Sequence, residues 1–201
     1  MSRLATEIKA VREQVSALHA ELVRYGLVVW TAGNVSGRVP GYDLLVIKPS
    51  GVSYEELTPD TMIVCDLDTN VVEGDLAPSS DTAAHAYVYR HMPEVGGVVH
   101  THSTYACAWA ARGEPVPCVL TAMADEFGGE IPIGPFALIG DDSIGQGIVE
   151  TLAGHRSPAV LMRSAFDLIR GSGRAPGESG RKGHSISSGH CKKVALTGDT
   201  L

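Results

Sequence analysis

An α/β fold in one domain, with a mixed or mainly antiparallel sheet flanked by helices, follows from three observations. The chain has 201 residues and is 44% hydrophobic, enough to bury a core of ordinary size. It opens on one long amphipathic helical pattern. After that, short β-branched runs alternate with helical patterns without a strict βαβ rhythm, which favours antiparallel or mixed pairing over a purely parallel sheet.

Leu4, Ile8, Val11, Val15, Leu18 and Leu22 recur at spacings of four and three, so the segment from about residue 3 to 25 is predicted to be a helix with one apolar face. "WTAGNVSGRV" and "DLLVIKPSG" read as a hairpin with glycine turns at its ends, and "TMIVCDLDTNVVEG" as a second hairpin. In "APSSDTAAHAYVYRHM", Ser79 or Ser80 is the expected N-cap of a helix reaching about His91, with Asp81 in its first turn. "VGGVVHTH" is a buried strand and "STYACAWAAR" a short helix capped by Ser103 or Thr104. "DDSIGQGIVETLAGH" is a helix leading into the strand "PAVLMR". Trp30 and Trp109 are expected to be core anchors, and Cys107 and Cys118 structural.

From Ser164 to Leu201 the sequence is rich in Gly, Ser and basic residues and loses its apolar periodicity. Such composition buries too little surface to offset chain entropy, so this tail is expected to be mostly poorly ordered. The division is therefore a domain over 1–163 and a tail over 164–201.

A formal charge of -7 opposes a nucleic-acid surface, which needs clustered Lys and Arg. Cys65, Cys107, Cys118 and Cys191 show no CxxC spacing, and no apolar run is long enough to span a bilayer. The expectation is a cytoplasmic protein without nucleic-acid or membrane partners.

His100 and His102 lie at i and i+2 in a strand, so two imidazoles can face one ion, although a hydrogen-bonded histidine pair has the same spacing. Asp81 and His85, four apart on a helix, are both candidates for a further ligand. "IKPSG" and "PSSD" set small hydroxyl residues beside backbone N–H groups at a glycine turn and a helix start; both suit an anion, and Lys48 adds positive charge. Ordinary turn and capping chemistry accounts for each taken singly. "TAMADEFGGE" gathers Thr121, Asp125, Glu126 and Glu130, a place for a general acid or base or simply a solvated acidic loop.

In their order, "AGNVSGRV", "VIKPSGVSYEEL", "PSSDTAAH", "VVHTHSTYACAWA" and "TAMADEFGGEIP" resemble the class II aldolase/epimerase superfamily, closest to its L-ribulose-5-phosphate 4-epimerase branch, from about residue 4 to Arg163. The resemblance implies α/β/α layers around a mainly antiparallel sheet, a homotetramer with active sites at subunit interfaces, and a divalent metal, zinc first, with manganese or cobalt as alternatives. It implies Asp81, His100 and His102 as metal ligands, favouring Asp81 over His85. Gly33, Asn34, Ser50, Gly51, Ser79 and Ser80 match the segments that bind a phosphorylated ketopentose. Asp125 matches an acid/base aspartate supplied by the neighbouring subunit, with Thr121 beside it. The implied reaction is epimerisation of L-ribulose 5-phosphate to D-xylulose 5-phosphate by retro-aldol cleavage and re-addition. A class II aldolase cleaving a deoxyketose 1-phosphate, of fuculose-phosphate type, and a non-catalytic, adducin-like oligomerisation domain are the alternatives.

The sequence departs from this family after Arg163. The family continues with Asn or Ser and then His-Gly-Pro, whose histidine is the third imidazole on the metal; here "SAFDLIRG" follows. No tyrosine follows Tyr105, although the family uses one near its C-terminus as a second acid/base group. A reading-frame shift near the codon for Arg163 would account for the change, and loss of the third histidine would impair the activity. His184 and His190 are the tail's own imidazoles, but ordering a glycine-rich segment costs roughly 1 to 2 kcal/mol per residue.

Overall fold

The computed structural model describes residues 2–165 and 190–197, with side chains through residue 163. Helix α1 spans Arg3–Arg24, as the four-and-three spacing predicts, and Ser2 caps it by accepting from the Ala5 amide. There follow β1 (Asn34–Arg38), β2 (Leu44–Ile47), β3 (Ile63–Asp66), β4 (Val71–Glu73), α2 (Thr82–His91) and β5 (Gly97–Thr101). The chain continues through α3 (Thr104–Arg112), α4 (Thr121–Phe127), β6 (Ile133–Leu138), α5 (Ser143–Leu152), β7 (Ala159–Ala165) and β8 (His190–Thr197).

The strands form one sheet in the order β4-β3-β2-β1-β5-β8-β7-β6, antiparallel except where β6 pairs with β7. Both predicted hairpins are present, β1 with β2 and β3 with β4.

Side-chain alternation sorts the sheet's two faces. Leu45, Ile47, Ile63 and Cys65 pack with Val88, Tyr89, Ile144 and Ile148 of α2 and α5. Their neighbours Val46 and Val64 turn the other way, onto Ile8, Val11, Val15 and Leu22 of α1. Along β7, Val160 and Met162 join the α2–α5 face, whereas Ala159 and Leu161 join a third cluster with Ala110, Trp109, Met123 and Phe127 from α3 and α4. The result is the expected three-layer α/β/α arrangement. Each fully buried aliphatic side chain contributes roughly 1.5–3 kcal/mol relative to exposure, so period-two alternation is what fixes strand register.

Several local expectations are corrected. Asp81 is itself at the N-cap position of α2 rather than a first-turn residue, with Pro78 and Ser79 just before it paired to the "KPSG" turn. "TAMADEF" is a helix, α4, whose Met123 and Phe127 pack inward. Trp30 is no core anchor: it is 91% exposed and has φ 57, in a turn between α1 and β1. Cys118 is exposed, so it has no packing role, whereas Trp109 is packed as expected.

Most of the 164–201 tail lies outside the described residues, His184 included. β7 continues through Ser164 to Ala165, and His190–Thr197 form β8 between β5 and β7 with Thr101 opposite Lys193 and Ser164 opposite His190. Among the described residues no helix is long and apolar enough to cross a membrane.

Candidate active site

β1 and β5 run antiparallel with Asn34 directly opposite His100. Because strand side chains alternate, Asn34 and Ser36 share a face of β1, and that face looks onto α2. On α2 and its cap, Asp81, His85 and Tyr89 recur every four residues and so form one stripe. Two residues of the strand thus meet three of the helix.

At the upper end, Asn34 Nδ2 donates to Asp81 Oδ2 at 2.8 Å and to Ser79 Oγ at 3.1 Å. Asp81 Oδ2 also lies 2.8 Å from His100 Nδ1. Asn34, Asp81 and His100 are all buried, so these charge-assisted contacts work in a low-dielectric setting where misplacement is costly. At the lower end, Ser36 Oγ is 2.7 Å from His85 Nδ1 and 2.8 Å from the Tyr89 hydroxyl. His85 therefore belongs to the Ser36–Tyr89 network, and Asp81 is the residue of the i, i+4 pair beside the histidines.

His102 stands one residue past the end of β5, half-buried, with its amide donating to Leu27 O at 2.9 Å. Its ring centroid is 4.7 Å from that of His100. Two imidazoles on a tetrahedral ion with nitrogen distances near 2.0–2.1 Å have centroids about 5 Å apart, so the spacing of this pair suits a shared divalent cation, and the Asp81 carboxylate beside His100 has the chemistry of a further ligand. Among the described residues no group of three or more His, Cys, Asp or Glu side chains stands close enough together to hold a metal ion. The place of the family's third histidine, after Ser164, holds Ala165.

The "KPSG" and "PSSD" segments lie side by side. Pro49 and Pro78 form an antiparallel bridge, Ser50 N donates to Ala77 O at 2.9 Å and Ser79 N to Lys48 O at 3.1 Å. The amides of Ser50 and Ser79 are therefore spent on holding the two segments together and do not await an anion. What remains at the surface are Ser50, Gly51 and Ser80, beside the half-buried Ser79. Lys48 is buried; its Nζ donates to Thr31 O at 3.0 Å. Burial lowers its pKa, and the negative charge of Asp81 opposes that shift.

Gly33, which directly precedes Asn34, cannot be replaced without movement. Its φ is 83, and a Cβ would come within 2.6 Å of Val28 Cγ1 and 3.0 Å of the His100 carbonyl oxygen. Asp125 is exposed on α4, as are Thr121, Glu126 and Glu130 in and just after that helix. Its helix rests on the third core cluster, so the structure does not join Asp125 to the Asp81–His100 pair by any contact within the chain.

Sequence reasoning missed His19, Tyr54, Ser36 and Tyr89. His19 follows Val15 by four on the apolar face of α1, and a histidine inside such a stripe was the available signal. Nothing in the local pattern marks the other residues, whose hydrogen-bond partners are 21 to 53 positions distant.

The profile described as Class II Aldolase and Adducin N-terminal domain matches residues 13–165. Over 125 residues the chain is 50% identical to L-ribulose-5-phosphate 4-epimerase UlaF of Salmonella paratyphi C, a match covering 62% of this chain and 55% of that protein. The chain thus spans about half the length of this curated relative. A putative aldolase/epimerase/decarboxylase, YgbL from Klebsiella pneumoniae, superposes with a TM-score of 0.66 at 30% identity, over 77% of this chain and 75% of that one. An L-fuculose 1-phosphate aldolase superposes with a TM-score of 0.76 at 23% identity, covering 96% of this chain and 77% of that one, a likeness of fold. On the family match and the shared architecture, the chain belongs to the class II aldolase and adducin N-terminal domain family.

Proposed function

We propose that this chain is a metal-dependent phosphosugar epimerase acting on L-ribulose 5-phosphate to give D-xylulose 5-phosphate. The observation that carries the reading is the Asn34–Asp81–His100 contact set beside the bridged "KPSG" and "PSSD" turns, in a chain half identical over 125 residues to an epimerase of that name.

Asp81, His100 and His102 would hold the ion, zinc first, with manganese or cobalt suited to the same donors. When bound, such an ion supplies positive charge where negative charge develops as the C3–C4 bond breaks. Ser50, Gly51, Ser79 and Ser80 bind the phosphate, with Lys48 adding charge from beneath, and Gly33 and Asn34 line the sugar's side of the pocket. The C4 hydroxyl gives up its proton, the C3–C4 bond cleaves, and the two-carbon aldehyde phosphate turns over. Re-addition on its other face re-forms the bond and returns the proton to the C4 oxygen. Asp125 of a neighbouring copy is the group assigned to one of these proton transfers, which requires the homotetramer. With Ala165 in place of the third imidazole, the activity is impaired relative to a site with all three. The residues assigned to the reaction all lie within 1–163, and the protein works in the cytoplasm.

Product analysis tests the reading. The full 201-residue chain is incubated with L-ribulose 5-phosphate and zinc, manganese or cobalt. Slow appearance of the epimeric ketopentose phosphate supports it. A stable aldehyde phosphate as product would make the chain an aldolase instead, and absence of any conversion with any of the metals would leave an adducin-like, non-catalytic domain.

A further inference from the structure

Asn34 is held from both sides by residues outside the pocket it serves. On its N-terminal side the Tyr54 hydroxyl lies 3.0 Å from Ala32 O and 2.9 Å from Gly33 O, donating to this pair of adjacent carbonyls. On its C-terminal side Val35 N donates to His19 Nε2 at 3.0 Å. His19 Nδ1 lies 2.7 Å from Val15 O, which fixes the ring as the tautomer that donates through Nδ1 and accepts through Nε2. The two rings are neighbours, with centroids 5.9 Å apart. Lys48 Nζ, 5.3 Å from the Tyr54 ring centroid, holds Thr31 O. Backbone groups of residues 31, 32, 33 and 35 are thereby tied to side chains from α1, β2 and the turn after it.

We propose that His19 and Tyr54 are positioning residues that clamp the Ala32–Val35 backbone, so that Asn34 meets Asp81 and His100 at fixed distance. The inference rests on the metal-site reading above for its consequence, and on these contacts alone for the clamp itself. The physical reason is that Asn34 is the last element of a loop-to-strand junction. Its neighbour Gly33 has positive φ, and a junction of that kind holds one conformation only where surrounding contacts over-determine it. The buried pair on Asp81 tolerates little drift, because hydrogen bonds weaken steeply with distance and angle. Burial also lowers the His19 pKa to about 4, which keeps the ring neutral and accepting at ordinary pH.

The test uses the full chain and three variants. Tyr54→Phe removes only the hydroxyl; His19→Leu removes the acceptor, and His19→Gln restores one. Amide hydrogen exchange is followed in metal-free protein, and Co²⁺ binding is titrated through its visible spectrum. The clamp predicts exchange at residues 32–36 accelerated at least tenfold in Tyr54→Phe and His19→Leu, with β3 unchanged. It also predicts Co²⁺ affinity lowered by about tenfold, the low end of what outer-shell partners contribute, with recovery in His19→Gln. A uniform rise in exchange everywhere, or faster local exchange with unaltered Co²⁺ affinity, would overturn the positioning role. If wild-type protein binds no Co²⁺, the metal-site reading fails and takes the positioning role with it, while the local exchange pattern still decides whether the clamp exists.

Discussion

Asn34 Nδ2 and Asp81 Oδ2 are 2.8 Å apart across the β1–α2 interface, and the same carboxylate oxygen is 2.8 Å from His100 Nδ1. One strand residue thus holds the acidic residue that orients a histidine on the neighbouring strand. Replacing Asn34 by Ala leaves the buried carboxylate short of a donor. The expected cost is about 1–3 kcal/mol in urea unfolding, together with a 10- to 100-fold loss of divalent-metal affinity by titration. Asn34→Asp, which sets a second carboxylate against Asp81, is expected to be worse on both measures at neutral pH.

Gly33 and Gly41 separate backbone strain from collision. Both have positive φ, 83 and 79, but a Cβ on Gly41 meets nothing within 4 Å, whereas on Gly33 it strikes Val28 and the His100 carbonyl. Gly41→Ala is expected to cost about 1 kcal/mol, and Gly33→Ala at least about twice that with weakened metal binding. Equal shifts in the denaturation midpoints of the two variants would contradict this.

The lowered pKa of His19 makes stability depend on pH in a stated direction. The folded value is about 4 against 6.5 for the free side chain, so between these limits the unfolded chain binds more protons. The contribution is fully present above pH 6.5 and is lost as pH falls toward 4, amounting to on the order of 3 kcal/mol over that window. Comparing the pH dependence of wild-type and His19→Gln unfolding isolates this slope, which should be absent from the variant.

Trp30 was expected from its residue type to anchor the core, and its 91% exposure gives the opposite prediction. Trp30→Ala should change the unfolding free energy by no more than about 0.5 kcal/mol, where a core tryptophan would cost about 3–5. Chemical denaturation at fixed protein concentration measures it, with gel filtration run alongside because Trp30 is open to contact with another copy.

These cases show where the sequence was legible. The α1 stripe and the two hairpins could be read because period and turn chemistry are local properties, and the nearness of Asp81, His100 and His102 because family motifs are local too. Trp30 could not, since exposure depends on which way a turn faces. The Asp81 cap and the spent amides of Ser50 and Ser79 arise from pairing between segments nearly 30 positions apart. Tyr54 and His19 act on Asn34 across similar separations, and no spacing rule connects them. Asp81 and His85, alike by helix period, have different partners because Asn34 and Ser36 stand two apart on β1.

The central claim is that Asp81, His100 and His102 hold a divalent ion without the usual third histidine. Metal content per subunit of the purified chain, by elemental analysis after gel filtration and exposure to zinc, tests it most directly. The account predicts close to one zinc per subunit in wild-type protein, lost in Asp81→Ala and in His102→Ala. Metal-free wild-type protein, or zinc retained equally by both variants, would contradict it.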